Sequence, residues 1–330
     1  MLVSGDQMSK RLIAILQTVG ILFTMSLGTV LSKIVLADIS PFTFAWTSMG
    51  VGMIVMSVYT FAIKREPIPK KLGKNVWLII IAIGICNFTI SRLTRPIAIE
   101  RLPITTTAYV GNFIGFLTMA MSIFILKEYP SIFQVIGAGI AVWGLTIYFK
   151  DPLATTELIG ILVILVGITA VAFTNNIARK LALLTRNGIS NTLVSTLALL
   201  IGGSLAIVIG LIMDFPPRVP DWRSWAVIVY TGVINIGLGL TVWNYILRTL
   251  KSFEASILGA STIIYSTILA MIILNERLTI HQVIGMSLMI VGLVLVQLRK
   301  GKLDSLFQKK SSPKTPALNQ PTQEIDEMRS

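Results

Sequence analysis

The chain has 330 residues, of which 54% are hydrophobic and only 13% charged, and its mean hydropathy is +0.80. A soluble domain carries about a quarter charged residues, so this composition excludes one and points to a polytopic membrane protein. The formal net charge of +13 calls for no nucleic-acid partner, because cytoplasmic loops collect Lys and Arg and basic residues are drawn to anionic headgroups.

Roughly 20 apolar residues cross about 30 Å of hydrocarbon as a helix. Runs of that kind predict a first set of spans at about 11–36, 41–63, 75–98, 103–125 and 131–149. A second set follows at about 158–178, 190–213, 223–247, 252–274 and 280–298. Leu12 to Leu36 follows Lys10 and Arg11 as a signal peptide would, but it is too long and lacks a small-x-small cleavage site, so it reads as a retained helix. Pro41, Pro67, Pro69, Pro103, Pro130, Pro152, Pro216, Pro217 and Pro220 fall between the spans, where helices begin or connections turn. The expected fold class is all-α membrane protein, ten transmembrane helices in two five-helix repeats. Its parts are a cytoplasmic N-terminus (1–10), a first repeat (11–149), a connecting loop (150–157), a second repeat (158–298) and a disordered cytoplasmic tail (299–330).

The duplication is written in the sequence. LKEYPSIFQVIGAGIAVWGLTIY, starting at Leu126, returns without a gap as LNERLTIHQVIGMSLMIVGLVLV, starting at Leu274, an offset of 148. The same offset pairs Trp77 with Trp225, Ile80 with Ile228, Gly84 with Gly232, Asn87 with Asn235, Leu102 with Leu250 and Gly111 with Gly259. A period this long is a duplicated domain rather than a solenoid unit. Five spans per copy is an odd number, so the second copy starts on the opposite face of the membrane and the halves are inverted. Inverted repeats recur in secondary transporters, with the substrate site near midplane between the halves. With the N-terminus inside, 20 of the 28 Lys and Arg fall on the cytoplasmic side, which places both termini in the cytoplasm.

Several residues carry the remaining signal. Ser131 and Thr279 stand three before Gln134 and Gln282, the spacing of a capping box. Glu128 and Glu276 precede the same helices, where the helix dipole favours a carboxylate. Gly137 with Gly144, and Gly285 with Gly292, mark close helix packing. Asn87, Asn112 and Asn235 lie deep in the bilayer, where an amide either stitches helices together or faces a wet cavity. Helix stitching is the reading for Asn87 and Asn235; for Asn112, whose counterpart is Ala260, a substrate contact and a structural role stand level. Arg92 and Arg95 share a helix face, with Arg92 about 27 Å along its helix from Lys74 at 1.5 Å per residue. That distance favours snorkelling at the outer interface, with an anion-attracting vestibule as the other role. Pro96 kinks the helix there and frees a carbonyl. Tyr109, Trp243 and Tyr265 are candidates for stacking or hydrogen bonding along a pathway, against packing or interfacial anchoring. Lys33 and Lys180, near the ends of the first and sixth helices, read as snorkelling cations or as counter-ions for a carboxylate. His281 is the single histidine, and no H-E-x-x-H, G-x-S-x-G or Walker motif occurs, so neither an enzyme, a metal site nor a cofactor is expected. The single Cys86 allows no intramolecular disulfide.

Ten spans in two five-helix halves, a Lys near the end of the first helix of each half (SKIVLADISP from Ser32, RKLALLTRNGIS from Arg179) and the doubled L-x-E junction resemble the EamA-type transporters of the drug/metabolite transporter superfamily. The resemblance implies movement of a small molecule across a bacterial cytoplasmic membrane without ATP, often export of amino acids or other metabolites. The chain departs from the family pattern at SRLTRPIAIERLP, Ser91 to Pro103, where relatives have an uncharged continuation. The expected substrate-binding set is therefore Asn112, Tyr109, Arg92, Arg95, Trp243 and Tyr265. The expected partners are a small-molecule substrate bearing a carboxylate or phosphate and the lipid bilayer, with a coupling proton, a counter-substrate and a homodimer left open. Efflux of lipophilic cations is the alternative, and a structural or sensory protein that moves nothing is the alternative of another class.

Overall fold

The computed structural model describes residues 5–69, 72–185, 189–241 and 252–297. All regular structure among them is helical. In chain order, α1 is Gly5–Val35, and α2 (Pro41–Ile63), α3 (Lys74–Arg101) and α4 (Ile104–Ile125) complete the part before the first internal duplication segment. That segment is α5, Ile132–Tyr148. The second half holds α6 (Thr155–Leu184), α7 (Asn191–Met213), α8 (Trp222–Thr241), α9 (Ser252–Ile273) and α10 (Ile280–Gln297). Seven of these are long and apolar enough to cross a membrane; the stretches Ile132–Tyr148, Ser261–Ile273 and Ile280–Val296 are apolar but shorter.

Helix starts follow local chemistry. Ser40 Oγ accepts from Phe42 N at 3.3 Å with Pro41 just inside the helix, where its missing N–H costs nothing. The capping boxes expected from sequence form in both copies. Gln134 Oε1 accepts from Ser131 N at 2.8 Å and Ser131 Oγ from Gln134 N at 3.4 Å, and Gln282 with Thr279 repeats the pair at 3.0 and 3.4 Å. Large side chains such as Ile54, Phe124 and Ile212 stay exposed, the surface a lipid-facing helix presents.

Packing runs between the halves. α1 lies against α9 and, as its repeat equivalent, α4 lies against α6; α2 lies against α8 as α3 lies against α7. The most extensive contact joins α5 to α10. A Cβ on Gly137 would stand 2.6 Å from the Gly292 carbonyl oxygen, and one on Gly144 2.8 Å from that of Gly285, distances no side chain tolerates. Residue numbers therefore rise along α5 as they fall along α10, so the two helices are antiparallel. Because Gly285 and Gly292 are the offset-148 counterparts of Gly137 and Gly144, each glycine meets the counterpart of the other. That is a pseudo-two-fold axis across the helices, the relation an inverted duplication requires.

Two features were not foreseen. α3 and α8 are π-helical at Gly84–Ile90 and Thr231–Leu238, which the same offset superposes. A π stretch widens the turn and is frequent at functional sites. α4 is interrupted at Asn112 and Phe113, between Ile104–Gly111 and Ile114–Ile125.

Candidate functional site

A cavity of about 370 Å³ lies where α1, α2, α3, α4, α6, α8 and α9 meet, so both halves build its wall. α1 presents a hydroxyl stripe at three-residue spacing, Ser26, Thr29 and Ser32, one helix face by geometry. α2 adds Ser48, α8 adds Thr231 and α9 adds Thr262 and Ser266. Of the three π-helical stretches among the described residues, the third being Val58–Ile63 at the end of α2, the two in α3 and α8 reach the wall, through Asn87 and Asn235. Asn235 Nδ2 donates to Met25 O at 3.3 Å, binding α8 to α1 as a stitching amide does. Asn87 makes no such bond with the described residues and stands half-buried at the wall. The wall role of Asn87 was therefore not extracted from the sequence, although its occurrence in both copies beside Gly84 and Gly232 carried the signal. Among the described residues, Ser26 Oγ and Asn235 Oδ1 are buried without a hydrogen-bond partner.

Arg92 and Arg95 both line this cavity. Arg95 keeps more than a third of its surface open. Its guanidinium reaches Thr29 Oγ1 at 3.5 Å. Among the described residues no ion pair involves either arginine, and the cavity wall contains no Asp, Glu, Lys or His. Side chains three apart on a helix start roughly 5–6 Å from each other, so the two like charges repel on the same stretch of wall. Pro96, also on the wall, removes the N–H that would bond the Arg92 carbonyl. The helix passes through Pro96 without stopping.

Asn112 lies on the wall at the break in α4, its Nδ2 donating to Ala108 O at 2.8 Å. Tyr109 does not reach the wall. It is fully buried on the other side of the same helix, stacked on Tyr148 with ring centroids 4.0 Å apart and planes 7° from parallel. Thr107, Ala108 and Gly111 take the cavity face instead. Tyr265 is also off the wall, its ring edge-on to Phe23 at 5.9 Å while Thr262 and Ser266 face inward. Trp243 lies outside the described residues.

An apolar cluster including Leu36, Phe44, Ile99, Ile104, Ile228 and Leu269 packs beside the cavity, and Phe44 and Ile99 belong to both. The α3–α4 elbow inside this cluster is held by two charges. Lys33 Nζ donates to the carbonyls of Ile99, Glu100 and Leu102 at 2.7, 2.8 and 3.0 Å, satisfying the orphan carbonyls at the end of α3. The Glu276 carboxylate accepts from Ile104 N at 2.7 Å and Thr105 N at 3.1 Å, capping α4 from the α9–α10 connection. Lys33 is therefore a helix-end ligand and not a snorkelling cation, and Glu276 serves a helix other than the one it precedes. Its repeat twin Glu128 pairs with Arg179 at 2.7 Å on the exposed surface. Lys180 is exposed.

No group of His, Cys, Asp or Glu among the described residues could hold a metal. His281 Nε2 lies 3.2 Å from Lys150 Nζ on the exposed surface, remote from the cavity wall. An all-helical, lipid-facing bundle whose equivalent helices pair across a pseudo-two-fold axis around a cavity with scattered polar groups defines an integral membrane protein of transporter type. The chain belongs to the EamA-like transporter family, whose model matches residues 12–150 and 158–298, and hence to the drug/metabolite transporter superfamily. No curated protein matches the sequence. A solved structure described only as the crystal structure of a protein is similar in fold, with a TM-score of 0.59 and 17% identity over 87% of this chain and 97% of that one.

Proposed function

We propose that the protein is a secondary transporter of ten spans, both termini cytoplasmic in a bacterial plasma membrane, that exports a small anionic metabolite by alternating access. The observation that carries this reading is the arginine pair, uncompensated by any carboxylate among the described wall residues, on the wall of a cavity built by both halves. A substrate carboxylate or phosphate meets there two guanidinium groups whose planar donors suit oxyanions. The binding set is Arg92, Arg95, Asn112 and Asn87, with Trp243 as the residue equivalent to Arg95 in the second half. In this orientation the Lys33 and Glu276 end faces outward, and the elbow contacts there serve as the outer gate. A lipophilic cation would meet two positive charges and no carboxylate on the described wall.

The test is counterflow of labelled organic anions and amino acids in liposomes holding the purified protein. Exchange that Arg95→Ala reduces at least tenfold supports the reading. Exchange unchanged in Arg95→Ala, or uptake of cations alone, removes it.

A further inference from the structure

We infer that the substrate is a dianion, a dicarboxylate or a phosphate monoester, rather than a zwitterionic amino acid or a monocarboxylate; this rests on the transport reading above. A single carboxylate neutralises one guanidinium and leaves the other unpaired. With Arg92 and Arg95 on one helix face, both on the cavity wall, and no acidic side chain among the described wall residues, one unpaired arginine means an uncompensated charge inside the membrane-spanning bundle. Two negative charges on one ligand neutralise both. A zwitterion fares worse than a monoanion, because its ammonium group finds no carboxylate on that wall and enters next to two cations. The remainder of the described polar wall, Ser48, Asn87, Asn112 and Ser266 among others, is uncharged, so it can bind hydroxyl or carbonyl groups of the same ligand without changing the charge count. Because the second half has Leu240 and Trp243 at the equivalent positions, the charge is one-sided. The ligand therefore binds with its anionic end towards α3.

The experiment measures ligand-induced thermal stabilisation and counterflow with the full-length protein in detergent and in liposomes. The probes are succinate and glycerol phosphate as dianions, lactate and a sulfate monoester as monoanions, and alanine as a zwitterion. At pH 7.5 the dianions bind at least tenfold tighter than lactate, the least that one further charge-assisted hydrogen bond contributes. The second phosphate pKa is about 6, so glycerol phosphate loses roughly tenfold in apparent affinity between pH 7.5 and pH 5 as the dianion takes up a proton. Sulfate monoester binding stays flat over that range. Arg92→Gln, checked for monodisperse elution, loses at least tenfold for the dianions and less than threefold for lactate. Succinate without glycerol phosphate identifies a dicarboxylate carrier, and the reverse a phosphate-ester carrier; either supports the inference. Lactate equal to succinate within threefold, with a flat phosphate-ester pH profile, overturns the dianion while leaving anion transport standing. Failure of all the anions, with alanine alone exchanged, overturns both.

Discussion

Glu276→Ala tests whether the contacts at the α3–α4 elbow are a gate or a static cap. The carboxylate accepts from two main-chain N–H groups, Ile104 at 2.7 Å and Thr105 at 3.1 Å, and a hydrogen bond to a charged group contributes about 1.5–3 kcal/mol. Half-burial of Glu276 lets water replace part of this, so the lower figure applies to each bond, about 3 kcal/mol together. Glu276→Gln keeps one acceptor and loses about half of that. If the contact exists only when this end is closed, about 3 kcal/mol moves the closed-to-open ratio by roughly a hundredfold, and the Gln variant by roughly tenfold. The reporter is a cysteine at Ser266, on the cavity wall, in a Cys86→Ser background, reacting with a membrane-impermeant thiol reagent from the Lys33 side. Labelling should accelerate at least tenfold in Glu276→Ala and by an intermediate factor in Glu276→Gln. Unchanged labelling, within twofold, together with a lowered melting temperature would refute the reasoning and leave Glu276 as a helix cap.

Other perturbations separate the remaining claims. Gly137→Ala places a Cβ 2.6 Å from the Gly292 carbonyl oxygen and should destabilise by about 1–3 kcal/mol as overpacking. By contrast Gly139→Ala, with nothing within 4 Å of its Cβ, should be neutral or stabilise by about 0.5–1 kcal/mol; thermal unfolding in detergent compares them. Ser131→Ala removes one arm of the α5 capping box and should cost about 1 kcal/mol, read as a lower midpoint in the same assay. Asp214, beyond the end of α7, is held below the usual carboxylate pKa chiefly by the hydrogen bond it accepts from Thr43 Oγ1. A depressed folded pKa contributes stability above the unfolded value of about 3.9, lost as pH falls through the folded one. The advantage of the wild type over Asp214→Asn should thus be full at pH 6 and shrink as the pH falls below the unfolded value of about 3.9, whereas an advantage constant with pH would contradict the assignment.

The substitution Arg92→Gln bears on how the site was legible. The sequence put Arg92 and Arg95 on one helix face and named them as either interfacial anchors or an anion vestibule. Measuring along the helix favoured the interface, since axial distance says nothing about which way a helix face turns. On α4, Asn112 and Tyr109 are three residues apart, yet one lines the cavity and the other stacks on Tyr148. Spacing alone treats them alike, because residues three apart share a helix face.

What the sequence alone determined is the duplication, the helical class, the membrane environment and the capping boxes, because each is a local or periodic property that 148-residue self-similarity, apolar run length and three-residue spacing express directly. The Gly137/Gly144 and Gly285/Gly292 pairs marked a close contact, but not that each meets the other copy's counterpart. Only the tertiary structure decided that the halves interlock, that two π-helical stretches bring Asn87 and Asn235 to one cavity, and that Lys33 and Glu276 satisfy the ends of α3 and α4. These are long-range choices of partner. A main-chain carbonyl or N–H at a helix end must be satisfied by something, but which of many distant side chains does so is fixed only when the helices pack.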